Sequence, residues 1–345
     1  MDLIIEDFNP DEADAQSFDV YTEYHNTLFK ELYPRDPVPP KEYFQKQTRS
    51  KKIGEKLIRR IIYDKDRKIC ACNIILVRTT DNSDYEKNKS IANMFITSLE
   101  INEFQKFAEI LLKDALKILE EYKDITTIET CTYRAREKQF WEMLSAKVLI
   151  VGAQNRLYLE DVNWELMNKW KQSGHKRAQK EKIELLSFDR CPEDIIYDYA
   201  KLYTTIMKLV PIGDFEWRPE TITPKKIREE EQRRKTIGYK WHTMVTRESS
   251  GDLSGLTEIF YHESRPHQVE QELTGVTLKH RGRGLGKWLK AEMLLFIRDK
   301  YPDVQVIITG NADSNTPMLS INERMGFKKY LEEKCFGIKI KDIFS

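Results

Sequence analysis

A basic, glycine-rich turn separates two apolar segments late in the chain, in the stretch TLKHRGRGLGKWLKAEMLLFI at residues 277–297. The segment before the turn is typical of a β-strand and the segment after it of a long helix. The first N–H groups of a helix have no intrahelical acceptor, and glycines let a phosphate approach them closely. We therefore predict a pyrophosphate site. Its residues are Arg281, Gly282, Arg283, Gly284, Leu285, Gly286 and Lys287.

Two other phosphate motifs fit this turn poorly. A dinucleotide fold requires G-x-G-x-x-G after its first strand, whereas this turn reads G-x-G-x-G after the fourth strand of its half. A P-loop requires Ser or Thr after its lysine, whereas Trp288 follows Lys287. A basic turn in front of a buried helix, without any ligand, is the remaining alternative.

Acidic residues line the strand that precedes the turn, HQVEQELTGVTL. Strict alternation would place Glu270, Glu272, Thr274 and Val276 on one face, which is too polar to be simple core. A carboxylate there could accept the proton of an attacking amine. We therefore regard Glu270 and Glu272 as candidate general bases, with Glu258 on the neighbouring strand as a third acidic candidate. A solvated strand face remains open as the alternative.

Two motifs in this order resemble the GNAT superfamily of acyl-CoA-dependent N-acyltransferases. The first is R-x-x-G-x-G, beginning at Arg281, and the second runs from Asn315 through Asn322 to Gly326-Phe327. The resemblance covers residues 274–327 and extends to the order of the flanking elements. It implies acetyl-CoA as acyl donor, with no metal, and an acetyltransferase that transfers the acetyl group to a primary amine. It also implies that the pantetheine lies beside Val276 and Leu278, within reach of Asn311 and Asn315. Capping of the helix that follows is an equal alternative for Asn315.

The resemblance also supports Glu270 as the base, because it lies eleven residues before Arg281. One position departs from the pattern. Many GNAT enzymes have at the position of Asn322 a tyrosine that protonates the leaving thiolate, and asparagine cannot do so. The general acid is therefore unknown, with Tyr330 as one alternative.

The acceptor loop implied by the resemblance is GDFEWRPE, in which acids surround two aromatic residues. Such a loop suits a cationic amine, so Glu216, Trp217 and Glu258 are candidate substrate contacts. A small-molecule amine is the favoured acceptor. A peptide or protein amine, and a CoA-binding regulatory or scaffold protein without turnover, remain alternatives.

The order of predicted elements occurs twice, with an offset of about 180 residues between corresponding helices and strands. We predict an α/β (α+β) protein with two tandem GNAT-like domains, each a mixed, mostly antiparallel twisted sheet flanked by helices. The boundaries are a degenerate domain at 1–162, a connector at 163–181 and a CoA-binding catalytic domain at 182–345. The first domain has no glycine in the corresponding turn, SLEINEFQ, and we expect it to bind no CoA.

Composition narrows the remaining classes. There are 57 basic and 56 acidic residues, which gives a net charge of +1, and we expect neither nucleic acid nor membrane as partner. The five cysteines show no framework spacing, so we expect buried, reduced thiols and a cytoplasmic protein. No histidine pair has metal-ligand spacing. His242 has either a catalytic role or a hydrogen-bonding one, and a homodimer is left open.

Overall fold

The computed structural model describes residues 3–344. The chain forms two compact units. Unit 1 comprises the described residues up to Val151, the short segment Ile212–Arg218 and the chain from Leu331 onwards. Unit 2 comprises Gly152–Pro211 and Pro219–Tyr330. The predicted fold class, a tandem α/β protein with mostly antiparallel sheets, is confirmed.

The strands of unit 1 follow the order β1-β2-β3-β4-β5-β12. The strands β4 and β5 run parallel, whereas the pairs β1–β2, β2–β3, β3–β4 and β5–β12 run antiparallel. The strands are β1 (Ile4–Asp7), β2 (Glu55–Tyr63), β3 (Ile69–Arg78), β4 (Ile91–Ser98), β5 (Thr127–Thr132) and β12 (Lys328–Lys339). The helices are α1 (Ala15–Leu32), α2 (Lys41–Arg49), α3 (Tyr85–Asn88), α4 (Phe104–Leu119) and α5 (Ala135–Met143).

The strands of unit 2 follow the order β6-β11-β10-β9-β8-β7, in which β10 and β11 run parallel. The strands are β6 (Lys147–Tyr158), β7 (Glu184–Phe188), β8 (Tyr239–Arg247), β9 (Leu253–His262), β10 (Gln268–Val276) and β11 (Val306–Ala312). The helices are α6 (Trp164–Glu181), α7 (Ile196–Met207), α8 (Pro224–Thr236), α9 (Leu285–Lys300) and α10 (Thr316–Met325).

Each sheet carries helices on both faces, because its strands are apolar on both sides. In unit 1, α4 buries the predicted stripe that includes Phe104, Phe107, Leu111 and Ala115. In unit 2, α9 occupies the corresponding place with Leu289, Met293 and Ile297, while α7 covers the opposite face. These helices hold the strands that carry the candidate site.

The domain boundaries read from the sequence remain a prediction, and the compact units divide the chain differently. The strand β6 closes the sheet of unit 2 from Gly152 onwards, while the last strand, β12, completes the sheet of unit 1. The predicted connector is helix α6, which packs on α9. A Cβ on Gly174 would lie 2.1 Å from the Trp288 ring, so these two helices are in close contact.

The prediction of reduced cysteines is wrong for one pair. Cys131 and Cys335 form a disulfide, because β5 and β12 pair antiparallel with these two residues in register. Their separation of 204 residues hid this pairing from the sequence. Cys70, Cys72 and Cys191 are free and buried, as expected.

Metal-ligand spacing occurs at Cys131, Glu333 and Cys335 among residues 3–344, and the two sulfur atoms there are bonded to each other. The expectation of no metal stays a prediction. None of the described helices combines the length and the apolar character needed to cross a bilayer.

Candidate active site

The strands β10 and β11 separate part-way along their length. They pair from Gln268↔Val306 to Glu270↔Ile308, and each then continues for several residues without a partner in the other. Beyond that point, the backbone N–H and C=O groups of the two strands do not hydrogen-bond to each other. The gap can therefore accept an extended chain that hydrogen-bonds to the strand edges.

A β-bulge lies beside the gap. The register of β10 against β9 shifts between Gln271 and Thr274, so β10 carries one extra residue there. Paired residues share a face of the sheet, and Thr274 pairs with Thr257, whereas Glu270 pairs with Phe260. The predicted alternation is therefore wrong. The bulge turns Thr274 and Val276 to the α9 face and leaves Glu270 on the α7 face.

The predicted phosphate turn leads directly into α9. Gly282 and Gly284 have φ angles of 77° and 80°, which side chains rarely adopt, and no atom lies within 4 Å of a Cβ built on either residue. Gly284 is the N-cap of α9, and no side chain caps the helix. The turn therefore leaves room for an anion above uncapped helical N–H groups.

The basic residues of the turn have different surroundings. Arg283 forms ion pairs with Glu181 and Glu248, so its guanidinium holds the turn in place. Arg281 donates from Nε to the carbonyl oxygen of Val276 at 3.2 Å, and Lys287 lies 5.9 Å from the Trp170 ring centroid. The backbone, more than Arg283, is thus what the turn presents to a ligand.

Leu278 lies outside the strand on which the sequence placed it. The strand β10 ends at Val276, and Leu278–His280 forms a short 3-10 turn in which the Leu278 side chain is exposed. Asn315 occupies the N-cap of α10, yet its side chain makes no capping hydrogen bond. Its amide is therefore not used for capping.

Glu258 is the most deeply buried acid of the site. Its side chain is 1 % exposed, and it accepts hydrogen bonds from the Tyr203 hydroxyl at 2.8 Å and from Trp241 Nε1 at 2.9 Å. Burial, followed by the charge of Glu272, raises its pKa to about 7, although the Tyr203 bond favours the ionised form. A carboxylate with that pKa can exchange a proton near neutral pH.

The other two acids lie on the same face. Burial, and then the charge of Glu272, raises the pKa of Glu270, whose contact with the Tyr239 hydroxyl is long at 3.5 Å. Surrounding protein atoms also raise the pKa of Glu272, although its side chain retains solvent access. Arg234 offsets the charge of all three acids, and Arg265 also offsets that of Glu270. The Arg234 Nε atom is bound to Glu230 at 2.6 Å.

A chain of side-chain amides borders the gap on the β11 side. Asn322 Nδ2 donates to Asn311 Oδ1 at 2.8 Å, and Asn155 Nδ2 approaches the same oxygen at 3.4 Å. Because Asn311 Oδ1 accepts these bonds, its Nδ2 is left to donate elsewhere. Lys290 Nζ donates to Asn322 Oδ1 at 2.6 Å.

Lys290 is a buried cation that sequence reasoning missed. Its side chain is 1 % exposed, and burial lowers its pKa to about 7. It lies in the second turn of α9, where the apolar run WLKAEMLLF gave no sign that the lysine points inwards. Tyr203 and Trp241 were missed as well, because hydrogen bonding to Glu258 requires the pairing of β8 with β9 and the packing of α7 on the sheet.

Residues 213–218 of the predicted acceptor loop are part of unit 1. Its Glu216 pairs with Lys339 at 2.7 Å and accepts from the Thr127 hydroxyl at 3.1 Å. The Glu216 backbone N–H also donates to Glu129 at 2.7 Å. Glu216 and Trp217 therefore belong to the segment Ile212–Arg218, whereas Glu258 lies among the acids of unit 2.

Solved structures resemble the whole chain. A tandem GNAT protein from the clavulanic acid biosynthesis pathway superposes with a TM-score of 0.75 at 15% identity, covering 98% of each chain. The protein described here has the tandem GNAT fold. The predicted resemblance is confirmed at the level of fold, including the duplication.

Two further GNAT structures agree. A GCN5-related N-acetyltransferase from Sphaerobacter thermophilus matches with a TM-score of 0.68 at 11% identity, covering 98% of this chain and 96% of that one. A glucosamine N-acetyltransferase region of a fungal multi-domain GH3 β-N-acetylglucosaminidase matches with a TM-score of 0.64 at 13% identity, covering 98% of this chain and 38% of that one. No protein-family model and no curated protein matches the sequence.

Proposed function

We propose that the protein is an acetyl-CoA-dependent N-acetyltransferase whose active site lies in unit 2. The observation that carries the proposal is the gap between β10 and β11. It starts beside the uncapped N-terminus of α9 and borders the face that holds three acids. A donor with a pyrophosphate at one end and a thioester at the other fits that arrangement.

The donor would be held mainly by backbone. The N–H groups of residues 284–287 are available to the pyrophosphate, and the strand edges near Val276 and Asn311 are available to the pantetheine. The free donor of Asn311 suits a carbonyl oxygen of that arm. The open space above Gly282 and Gly284 supports a pyrophosphate at this turn, because a Cβ on either residue would occupy the space proposed for the phosphate.

Transfer would proceed by direct attack of a neutral amine on the thioester carbonyl. The new N–C bond forms, the C–S bond breaks, and the amine proton goes to a carboxylate. Glu270 is the favoured base, because its hydrogen bond to the Tyr239 hydroxyl is long and it is the last residue of β10 that pairs with β11, where the gap begins. Glu272 is the second candidate, and Glu258 would bind the acceptor ammonium beside Trp241.

The positive charge of Lys290 would take over the role that a tyrosine has towards the leaving thiolate in many GNAT enzymes. Lys290 is tied to Asn322, the position at which many GNAT enzymes have the acid. We propose that its ammonium stabilises the thiolate electrostatically through the buried amide chain. The thiolate can then leave as an anion, with the N-terminus of α9 as a second source of positive potential.

The acceptor we propose is a small primary amine that carries a positive charge. Acids that are backed by aromatic rings, with Arg234 already bound to Glu230, favour cations. A second candidate function is CoA binding without turnover, which the asparagine at position 322 favours.

Turnover separates these two functions. We would screen polyamines, aminoglycosides and amino acids for acetyl-CoA-dependent thiol release, comparing wild type with Glu270→Gln. The proposal predicts release with at least one cationic amine and a loss of about 10²–10⁴-fold in the variant, the usual contribution of a general base. Tight acetyl-CoA binding without release for any amine would favour the CoA-binding protein instead.

A further inference from the structure

A second constellation in unit 2 joins a serine, a histidine and an aspartate. Ser187 Oγ lies 2.9 Å from His242 Nε2, and His242 Nδ1 lies 2.6 Å from Asp189 Oδ1. Ser187 is on β7, Asp189 follows the same strand, and His242 is on the neighbouring β8. The pairing Phe188↔Thr243 places the imidazole between the other two side chains.

The hydrogen bonds define the tautomer of His242. Burial lowers the pKa of the imidazole, so the ring is neutral at pH 7 although Asp189 favours its charged form. A carboxylate can only accept, so the ring proton is on Nδ1 and points to Asp189. Nε2 is therefore the acceptor, and the Ser187 hydroxyl donates to it. This is the proton arrangement that activates a serine nucleophile.

The imidazole is held by packing, while the serine is accessible and the Asp189 side chain is 79% exposed. The His242 ring is 6 % exposed and stacks on Phe296 of α9, with centroids 3.8 Å apart and an angle of 9° between the planes. Ser187 is exposed on β7, the outermost strand of this sheet. A hydroxyl on an open edge can meet a reagent without any opening of the fold.

We propose that Ser187 is an activated nucleophile that accepts acyl groups from carboxylic esters, with His242 as its base and Asp189 orienting the imidazole. Ser187 Oγ forms a bond to the ester carbonyl carbon, and its proton moves to His242 Nε2. The bond from that carbon to the alcohol oxygen breaks, and His242 returns the proton to the alcohol. Water, activated by the same imidazole, then hydrolyses the acyl-serine.

The proposal assigns stabilisation of the attacked carbonyl to the open edge of β7. An edge strand directs alternate N–H groups away from its neighbour, and these can donate to an oxyanion. Lys300, at the end of α9, is close enough to act on the charge of His242, so its ammonium adds positive potential. The substrate class is accordingly an activated ester with a small acyl group, which an open surface can admit.

The test uses a fluorophosphonate probe on the full chain, with peptide mapping of the adduct. We expect labelling of Ser187 that disappears in Ser187→Ala and falls at least tenfold in His242→Gln. A fall in Asp189→Asn would follow from loss of the correct tautomer. Ser250→Ala is the matched control, because Ser250 is exposed and bonded to Asp252 without an imidazole.

A second readout is p-nitrophenyl acetate hydrolysis, which Ser187→Ala should abolish above the rate of the buffer. Circular dichroism and the thermal unfolding midpoint of the same variants report their folding, and both should remain at the wild-type level. No adduct on Ser187, or equal labelling of wild type and a folded His242→Gln variant, would overturn the proposal. Neither result depends on whether unit 2 acetylates amines.

Discussion

The two units carry different side chains at corresponding positions of their sheets. The hairpin pairings Arg59↔Ile74 and Thr243↔Glu258 are equivalent when counted from the hairpin turns. Ile74 in unit 1 therefore corresponds to the buried acid Glu258 in unit 2. Leu57 corresponds in the same way to Trp241, the side chain that donates to Glu258.

The next strand differs in charge, because an amide in unit 1 takes the place of a carboxylate in unit 2. Both parallel pairs separate after three residues, the first at Asn93↔Glu129 and the second at Glu270↔Ile308. Asn93 thus corresponds to Glu270, but β4 pairs with β3 without the bulge that β10 has. The backbone split is common to both units, whereas the bulge and the acids on the two strands before the split, Glu258 and Glu270, belong to unit 2; the acid of unit 1, Glu129, lies on the strand after it. Strand separation alone therefore does not make an acceptor site.

The helix starts differ as well. The helix α4 begins after Glu103, with Glu100 and the exposed Ile101 in the preceding turn. Acidic side chains at this helix start repel an anion, and the turn Ser98–Glu103 contains no glycine that would expose the backbone as Gly282 and Gly284 do. The comparison supports one donor site per chain, in unit 2.

A large effect on activity is expected from making unit 2 resemble unit 1. Glu258→Ile introduces the residue of unit 1 and should lower amine acetylation by about 10²-fold, because the acceptor ammonium loses its buried counter-charge. Acetyl-CoA affinity should stay within a few-fold. Glu258→Gln, which keeps the shape, is the control for packing. Full activity in a folded Glu258→Ile variant would contradict the role of this acid.

The two β10 acids can be ranked by the same assay. Glu270→Gln should reduce kcat by about 10²–10⁴-fold, the range for a general base, and Glu272→Gln by less. The reason is that Glu270 borders the gap on the paired strand, whereas Glu272 lies in the bulge with solvent access. A larger loss of kcat in Glu272→Gln than in Glu270→Gln would identify Glu272 as the base.

Lys290 should show a smaller, pH-dependent effect. Its ammonium is charged below its pKa of about 7 and neutral above it. If the charge stabilises the thiolate, the kcat of the wild type falls as pH rises through about 7. Lys290→Met should lower kcat about tenfold at pH 6.5, and its kcat should not fall further as pH rises. Lys290→Gln retains a hydrogen bond to Asn322 without the charge. A wild-type kcat with the wild-type pH dependence in Lys290→Gln would show that the charge of Lys290 does not contribute to catalysis.

The same lysine affects stability with a defined sign. Between pH 7 and 10.5 the unfolded chain binds a proton at Lys290 that the folded chain has lost. The free energy of unfolding therefore increases as pH rises through that window, and the protein becomes more stable. In Lys290→Met this rise should be missing from denaturant titrations at pH 7 and 9.5.

The smallest effect on activity is expected from the disulfide of unit 1. Cys131→Ser opens a bridge between residues 204 positions apart, and loop entropy sets an upper limit of about 5 kcal/mol on its contribution to stability. The variant should melt at lower temperature and still acetylate at the wild-type rate. The free, buried Cys191→Ser serves as the matched control. A large loss of kcat in Cys131→Ser would connect unit 1 to catalysis.

The sequence predicted the fold and the phosphate turn because both depend on local pattern. Period, glycine spacing and the order of elements are visible without any tertiary contact. The bulge at Gln271 and Thr274 was not predictable, since it depends on how β10 pairs with β9. The inward orientation of Lys290 and the disulfide depend on long-range packing in the same way. Polar residues that act inside the fold were therefore the ones missed.

The most direct test of a single donor site in unit 2 is calorimetric titration with acetyl-CoA. Wild type should bind one molecule per chain, and Gly284→Glu should lose binding, because the side chain brings strain and negative charge to the N-terminus of α9. Gly251→Glu is the matched control, since Gly251 also has a positive φ and open space but lies in the turn before β9. Two sites per chain, or unchanged binding in a folded Gly284→Glu variant, would contradict the account.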